Sequence, residues 1–297
     1  MRPTMPPQLG PAWDHRDVAG TLYLVGTPIG NLGDMTDRAR ETLRRVDLVA
    51  AEDTRRTGRL FAGLGIRAKT VSLFEGNERA RTEDLLVALR RGDDVAVVSD
   101  AGMPAVSDPG FRIVRACVAE GIDVRVVPGP SAAIAALVVS GLPSDRWAFE
   151  GFLPRRAGER VERLRALRDE ERTVVVFESP RRLTALLRDV LAELGDRRVA
   201  VARELTKVHE EVVRGRVTEV LAALGDRELK GEVVVVLEGA APAEPPAIED
   251  LVADAQALVR TGMRKRAAAG EVARRHGVPA NEVYEALVRA GRPTIQS

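Results

Sequence analysis

A chain of 297 residues is longer than one hydrophobic core usually serves, so two domains of ordinary size, or two with a small appendage, are expected. With 45% apolar and 30% charged residues it reads as soluble, globular and cytoplasmic, no apolar run approaches the roughly 18 residues of a membrane helix, and one cysteine, Cys117, excludes an internal disulfide and a cysteine-rich zinc site. The net charge of +1 hides an asymmetry: residues 259–297 carry eight Lys or Arg against three acids, a net +5 that fits a polyanion-binding segment and a solvated helix face equally well.

In chain order, residues 1–19 hold four prolines and no apolar h-region, and are expected to form a disordered extension. Five strand-like runs follow, each ending in a turn or a small polar cluster. They are Thr21–Val25 before Gly26-Thr-Pro-Ile-Gly-Asn31, Leu48–Ala51 before Glu52-Asp-Thr-Arg55, Lys69–Leu73 before Glu75, Asp94–Val98 before Ser99-Asp-Ala-Gly102, and Val124–Val127 before Pro128-Gly-Pro-Ser131. Helical stretches come after them at 36–45, 54–64, 77–91, 109–120 and 131–140, with Cys117 expected to be a small buried helix residue. Such alternation implies a parallel sheet with right-handed crossovers, and an open parallel sheet binds ligands outside the carboxyl ends of its strands.

Gly141-Leu-Pro143 breaks this rhythm and divides a first α/β domain, 20–141, from a second, 142–240. The second reads as an aromatic run at Trp147-Ala-Phe149, an Arg-rich helix over 156–171, a strand over 173–177, a helix after Ser179-Pro180, strands at 199–203 and 211–214, a helix over 217–224 and a closing strand at 232–237. Too few residues separate Arg203 from Glu211 for a helical crossover, so this sheet should be mixed in direction. Residues 241–249 read as a Pro-rich linker. Residues 250–297 read as three short helices, the last two joined at His276-Gly-Val-Pro279 with Asn281 as cap; the spacing fits a helix-turn-helix or a plain helical hairpin.

Phosphate motifs are the first to test against Gly-rich turns. Gly26, Gly30 and Gly33 are not spaced as the dinucleotide fingerprint, Pro28 removes a backbone donor, and no P-loop occurs. Neither a Ser-His-Asp arrangement nor a metal-ligand spacing is present, so no metal is expected.

Seven motifs in one order carry a resemblance. They are Gly20-Thr-Leu-Tyr-Leu-Val-Gly-Thr-Pro-Ile-Gly-Asn-Leu32, Ala51-Glu-Asp-Thr-Arg55, Val98-Ser-Asp-Ala-Gly-Met-Pro-Ala-Val-Ser-Asp-Pro-Gly110, Pro128-Gly-Pro-Ser-Ala132, Phe149-Glu-Gly-Phe-Leu-Pro154, Phe177-Glu-Ser-Pro180 and Ala202-Arg-Glu-Leu-Thr-Lys207. Together they resemble the ribosomal RNA small subunit methyltransferase I family, cytidine 2′-O-ribose methyltransferases of the tetrapyrrole methylase superfamily. The resemblance covers about residues 20–239 and extends to the tail; Met103 and Arg181 stand where the family pattern has threonine and histidine. It implies two α/β domains of the class III methyltransferase type with a small C-terminal helical segment, S-adenosyl-L-methionine in the cleft between them, and a homodimer. Cofactor contacts implied by matching positions are Pro28, Ile29, Ser99, Asp100, Ala101, Met103, Val106, Ser131, Ala132, Glu178 and Leu205.

Each polar position also has a structural reading: Asp100 capping the turn at Gly102, Ser131 as a helix N-cap, and Glu52, Asp53 and Arg55 as cap and surface pairs. The implied reaction is in-line methyl transfer to a ribose 2′-oxygen. Glu52, Asp53, Glu204 and Lys207 are the candidates to take the hydroxyl proton, and the sequence does not choose among them. Arg55, Arg155 and Arg156, with Arg264, Lys265 and Arg266 in the tail, are candidate phosphate contacts for small-subunit RNA or the 30S particle; no DNA or membrane is expected. A tetrapyrrole-type small-molecule methyltransferase and a non-catalytic RNA-binding protein on the same fold stay open. The 3% aromatic content argues against broad stacking on single strands and for recognition of structured RNA by shape.

Overall fold

The computed structural model describes residues 19–225, 227–241 and 246–290. The expected N-terminal extension, Ala19 apart, and residues 242–245 of the expected linker lie outside the described residues. Two compact units are present, one up to Ala240 and one from Ala241. No helix among the described residues is long and apolar enough to cross a membrane.

The first half of the larger unit runs β1 (Leu22–Val25), α1 (Asp37–Arg45), β2 (Leu48–Ala51), α2 (Thr54–Leu64), β3 (Thr70–Ser72), α3 (Glu78–Arg90), β4 (Val95–Val98), α4 (Phe111–Glu120), β5 (Val124–Val127) and α5 (Ala132–Ser140). Its five strands form a wholly parallel sheet in the order β3-β2-β4-β1-β5. Its three inner strands, β2, β4 and β1, are short apolar runs buried on both faces, as crossover helices demand, while β3 and β5 are the partly exposed edges. On one face Tyr23, Val25, Val49, Ala96 and Val98 meet Ala39 and Leu43 of α1 and Phe61 of α2. On the other, Leu22, Ala50, Val95 and Val97 meet Leu85 and Leu89 of α3 with Ile113 and Cys117 of α4. Cys117 is fully buried, and burial pushes its thiol up to about 11.

The second half runs β6 (Trp147–Phe152), α6 (Ala157–Ala166), β7 (Thr173–Glu178), α7 (Pro180–Leu194), β8 (Arg198–Arg203), β9 (Glu211–Arg216), α8 (Val217–Leu224) and β10 (Val233–Leu237). Its sheet, β6-β7-β10-β8-β9, is mixed, as the short link between β8 and β9 requires. Leu164, Leu183, Leu187, Val217 and Val220 cover one face. Its other face is covered by Ala133, Ala136 and Leu137 of α5, which pack on Val175, Ala200, Ala202 and Val236. Thus α5, apolar nearly all round, joins the two lobes through one shared core. The Arg-rich helix ends at Ala166 and not at 171, because Leu167 and Arg168 donate to carbonyls three residues back and tighten its last turn.

The smaller unit is α9 (Ile248–Arg260), α10 (Lys265–His276) and α11 (Ala280–Ala290), packed on their own core of Leu251, Ala255, Val272, Val283 and Leu287. Gly277, left-handed, ends α10. Asn281 does not cap α11: the helix begins one residue earlier, at Ala280, which places Asn281 in its first turn.

Candidate active site

In the parallel sheet β1 and β4 are neighbours, yet β1 leads to α1 on one face and β4 to α4 on the other. Neighbouring strands whose connections depart to opposite faces leave a crevice at their carboxyl ends. The turns around it are locked together. Thr27 and Gly102 exchange backbone hydrogen bonds of 2.9 and 3.1 Å, and Thr27 Oγ1 donates to the Ser99 carbonyl at 3.2 Å. Gly26 and Gly129 touch backbone to backbone: a Cβ on Gly26 would lie 2.6 Å from Gly129 Cα, so neither tolerates a side chain.

Above this crevice a cavity of about 400 Å³ opens between the lobes. The first lobe supplies an acidic wall. Glu52 Oε2 accepts from the Asp100 N–H at 3.2 Å, and Asp100 Oδ1 accepts from the Asp53 N–H at 3.1 Å, which clasps the ends of β2 and β4. Asp100 Oδ2 pairs with Arg56 at 3.1 Å. Burial, reinforced by the neighbouring Asp100 charge, raises the Glu52 carboxyl above the usual range; burial also raises Asp100, against the pull of Arg56. Asp108 lies in the same wall, and burial together with the Glu52 charge pushes it to about 7 against the opposing pull of the nearby Ser99 hydroxyl.

The second lobe supplies the facing wall. Phe152 stacks edge-on against Phe177, with ring centroids 5.5 Å apart, and Phe177 stacks likewise on Phe149. Glu178, 2% exposed, accepts at Oε1 from the Ser179 N–H at 2.6 Å and from Arg182 Nε at 2.7 Å, while its Oε2 has no partner. A buried carboxylate oxygen without a donor is costly unless a ligand supplies one. Ser131, at the N-terminus of α5, makes no capping bond, and its hydroxyl lines the cavity.

Of the residues singled out in the sequence, Ile29, Glu52, Asp100, Ala101, Met103, Val106, Ser131, Ala132 and Glu178 line this cavity together. Pro28 and Ser99 are buried without lining it, and Leu205 packs with Ile29 in the core shared by the lobes. Asp53 caps α2 and is chelated by Arg55, whose guanidinium holds it at about 2. Glu204 and Lys207 pair at 2.8 Å, and Lys207 reaches Glu232 at 3.3 Å. Burial opposes both charges, but the pairing wins, lowering Glu204 and raising Lys207. Lys207 packs over Gly30, where a Cβ would meet its Cγ at 2.5 Å. Arg55, Arg155 and Arg156 are exposed outside the cavity, and Arg264, Lys265 and Arg266 open α10 in the other unit.

Sequence reasoning assigned no role to Arg56, Asp108, Phe152, Phe177, Ser179, Pro180 or residues 231–234, all of which line the cavity. Asp108, Phe152, Phe177, Ser179 and Pro180 do sit inside motifs already noted; 231–234 carry no local signal.

Comparisons with known proteins bear on this site. The model of the tetrapyrrole (corrin/porphyrin) methylases matches residues 21–221. A ribosomal RNA small subunit methyltransferase I of Mycobacterium tuberculosis is 46% identical over 280 residues, 93% of this chain and 97% of its own length. One of Thermotoga maritima is 50% identical over 220 residues, 74% of this chain and 99% of its own. Among solved structures, the uroporphyrin-III-C-methyltransferase of Thermus thermophilus superposes with a TM-score of 0.51 at 25% identity, covering 74% of this chain and 92% of its own.

Proposed function

We propose a function from the premise that the chain belongs to the tetrapyrrole methylase family and, within it, to the ribosomal RNA small subunit methyltransferase I family: it is an S-adenosyl-L-methionine-dependent methyltransferase of small-subunit ribosomal RNA, acting on the 2′-oxygen of a cytidine. The cofactor supplies an electrophilic methyl group on a sulfonium. The donor set suits it. The unpartnered Oε2 of Glu178 and the uncapped hydroxyl of Ser131 offer polar partners, and Ile29, Ala101, Met103, Val106 and Ala132 offer an apolar and backbone surface. Asp100 adds a charged acceptor, while Pro28, Ser99 and Leu205 support these turns from behind.

Glu52 belongs to the wall that faces the acceptor hydroxyl, Asp53 sets the start of α2, and the Glu204–Lys207 pair fixes the rim against Gly30. Holding the acceptor oxygen in line with the methyl group supplies several kcal/mol of the barrier, of a possible ~7–11. Arg55, Arg155 and Arg156 present exposed guanidinium groups to phosphates. In the smaller unit Arg264, Lys265 and Arg266 crowd cations at the N-terminus of α10, where the helix dipole disfavours them and an incoming phosphate relieves the repulsion. The enzyme works in the cytoplasm as a homodimer, for which exposed Phe111 and Val118 of α4 and Val87 of α3 offer apolar surface.

The observation that carries this reading is the gathering of residues from the ends of β1, β2, β4, β5 and β7 around one cavity. What supports the RNA acceptor is the near full-length match to relatives named for it. The test is transfer of labelled methyl from S-adenosylmethionine to small ribosomal subunits from cells lacking the protein, followed by nucleoside mass analysis. One 2′-O-methylated cytidine is expected; cofactor binding with no incorporation into RNA would turn the reading toward a small-molecule acceptor.

A further inference from the structure

We propose that Asp108 is the group that takes the proton from the ribose hydroxyl as it is methylated. The inference rests on the 2′-O-methylation reading above and goes beyond it by naming a residue to which neither the motifs nor the relatives give a role.

The geometry isolates Asp108 among the acids of the site. Asp53 is spent on the α2 cap and on Arg55. Both oxygens of Asp100 are engaged, one by the Asp53 N–H and one by Arg56. Glu204 holds Lys207 and the Glu232 N–H, and the engaged oxygen of Glu178 holds Ser179 and Arg182. Glu52 is tied by one oxygen to the Asp100 N–H. Glu52, like Asp108, has no ion pair among the described residues, but Asp108, which lines the cavity, is held by no main-chain N–H either. A carboxylate held by neither a cation nor a main-chain N–H is the least restrained of these acids in changing its protonation.

The backbone is arranged to put it there. Ala105 and Ser107, neither a glycine, stand at φ 66° and 62°, a left-handed conformation that L-residues with a Cβ adopt only against steric resistance. The Ala105 N–H donates to the Pro109 carbonyl at 3.2 Å, and Glu78 accepts the Gly110 N–H at 3.0 Å and pairs with Arg112, which anchors the far end of the loop. Across the cleft the loop rests on Gly151, where a Cβ would lie 2.8 Å from Ser107 Oγ. Strain of this kind persists only where the surroundings enforce it, and it gathers at sites that use it.

The charges facing Asp108 are Glu52, Asp100 and Arg56 from its own lobe, with Glu178 and Glu232 lining the same cavity from the other, each of these two already held by Arg182 or Lys207. The net field is acidic, and with burial it brings Asp108 to about 7. At neutral pH a base of that strength is about half in its accepting form and still strong enough to accept. In the step, the hydroxyl oxygen bonds to the methyl carbon, its proton passes to Asp108, and the carbon–sulfur pair stays on sulfur. One positive and one negative charge vanish together, and Asp108 later loses the proton to water.

The test compares wild type, Asp108→Asn and Asp108→Glu in three measurements. These are single-turnover transfer to small ribosomal subunits between pH 5.5 and 9, S-adenosylmethionine affinity by calorimetry, and thermal unfolding of the free protein against pH. Expected is a wild-type rate that rises through about pH 7, a loss of about 10²- to 10⁴-fold in Asp108→Asn with no such rise, partial recovery in Asp108→Glu, and unchanged cofactor affinity. Because the folded value lies above that of the unfolded chain, Asp108 loses stability as pH rises toward 7. The Tm of Asp108→Asn relative to wild type should therefore climb between pH 4 and about 7 and then level off. A variant that keeps the wild-type rate and profile, or whose only loss is in cofactor affinity, overturns the proposal. If wild type transfers nothing to RNA, the 2′-O reading fails and the proposal falls with it.

Discussion

The two lobes that face each other across the cavity treat their acids in opposite ways. On the first-lobe wall Glu52, Asp100 and Asp108 share one cation, Arg56, and all three are raised above their ordinary values, chiefly by burial. On the second lobe Glu178 and Glu232 line the cavity and Glu204 lies outside it; all three are met by Arg182 or Lys207, and Glu204 is lowered. Paired charge there fixes the turns after β7 and β8. Crowded, under-neutralised charge on the first wall opposes folding, and a structure keeps such a feature where its chemistry uses it.

The comparison is most open to attack at Glu178. Glu178→Leu should destabilise the protein by about 3–5 kcal/mol, since it strands the Arg182 guanidinium, one of whose nitrogens is already without a partner. Urea unfolding measures this; a loss near zero would mean that the second wall is not held by its ion pairs. Next comes Gly151→Ala, which needs a left-handed alanine at φ 61° and drives a methyl against Ser107. A cost of about 1–3 kcal/mol is expected, with a fall in methyl transfer larger than the fall in cofactor affinity because the loop that bears Asp108 is displaced. Equal falls in both would separate the loop from the chemistry.

Much of this was legible in the sequence, for physical reasons. Parallel strands buried on both faces must be short apolar runs, so β1, β2 and β4 stand out, and their polar ends mark the crevice. The link between Arg203 and Glu211 is too short for a crossover, which dictates a mixed second sheet. The run Ala132–Val139 predicts a helix but not which sheet it covers, because a helix apolar all round declares no face. Asp108 and Phe152 stand inside motifs, yet only closure of the two lobes turns them toward one cavity. Glu204 and Lys207 were readable as strand-end residues, and nothing local told that they would pair with each other and stay out of the cavity.

Lys207→Met probes that pair. Glu204, lowered in the folded state, contributes stability that is present above the unfolded value and lost as pH falls through the folded one. Lys207, raised, contributes stability that is present below its unfolded value and lost as pH rises through the folded one. The gap between wild type and Lys207→Met should thus be about 1–2 kcal/mol and flat across neutral pH, and it should shrink below pH 4.5. Denaturation at pH 3, 5 and 8 reads it. A gap that stayed constant to pH 3 would assign the loss to packing of the Lys207 stem over Gly30 instead.

The smallest expected effect is the most discriminating. Arg56 is the sole cation lining the cavity among the described residues and is itself more than half exposed, so Arg56→Met should change stability by less than about 1 kcal/mol. It should nevertheless move the pH dependence of methyl transfer. Removing a positive charge disfavours every carboxylate on the wall, Asp100 and Glu52 directly and Asp108 through them, so the rising limb must shift toward higher pH. Lys207→Met removes a cation from the opposite lobe, outside the cavity, where the acids it serves are Glu204 and Glu232, and should leave that limb in place. Parallel pH profiles of the two variants decide the matter: a limb that moves with Lys207 and not with Arg56 would put the titrating group on the second wall.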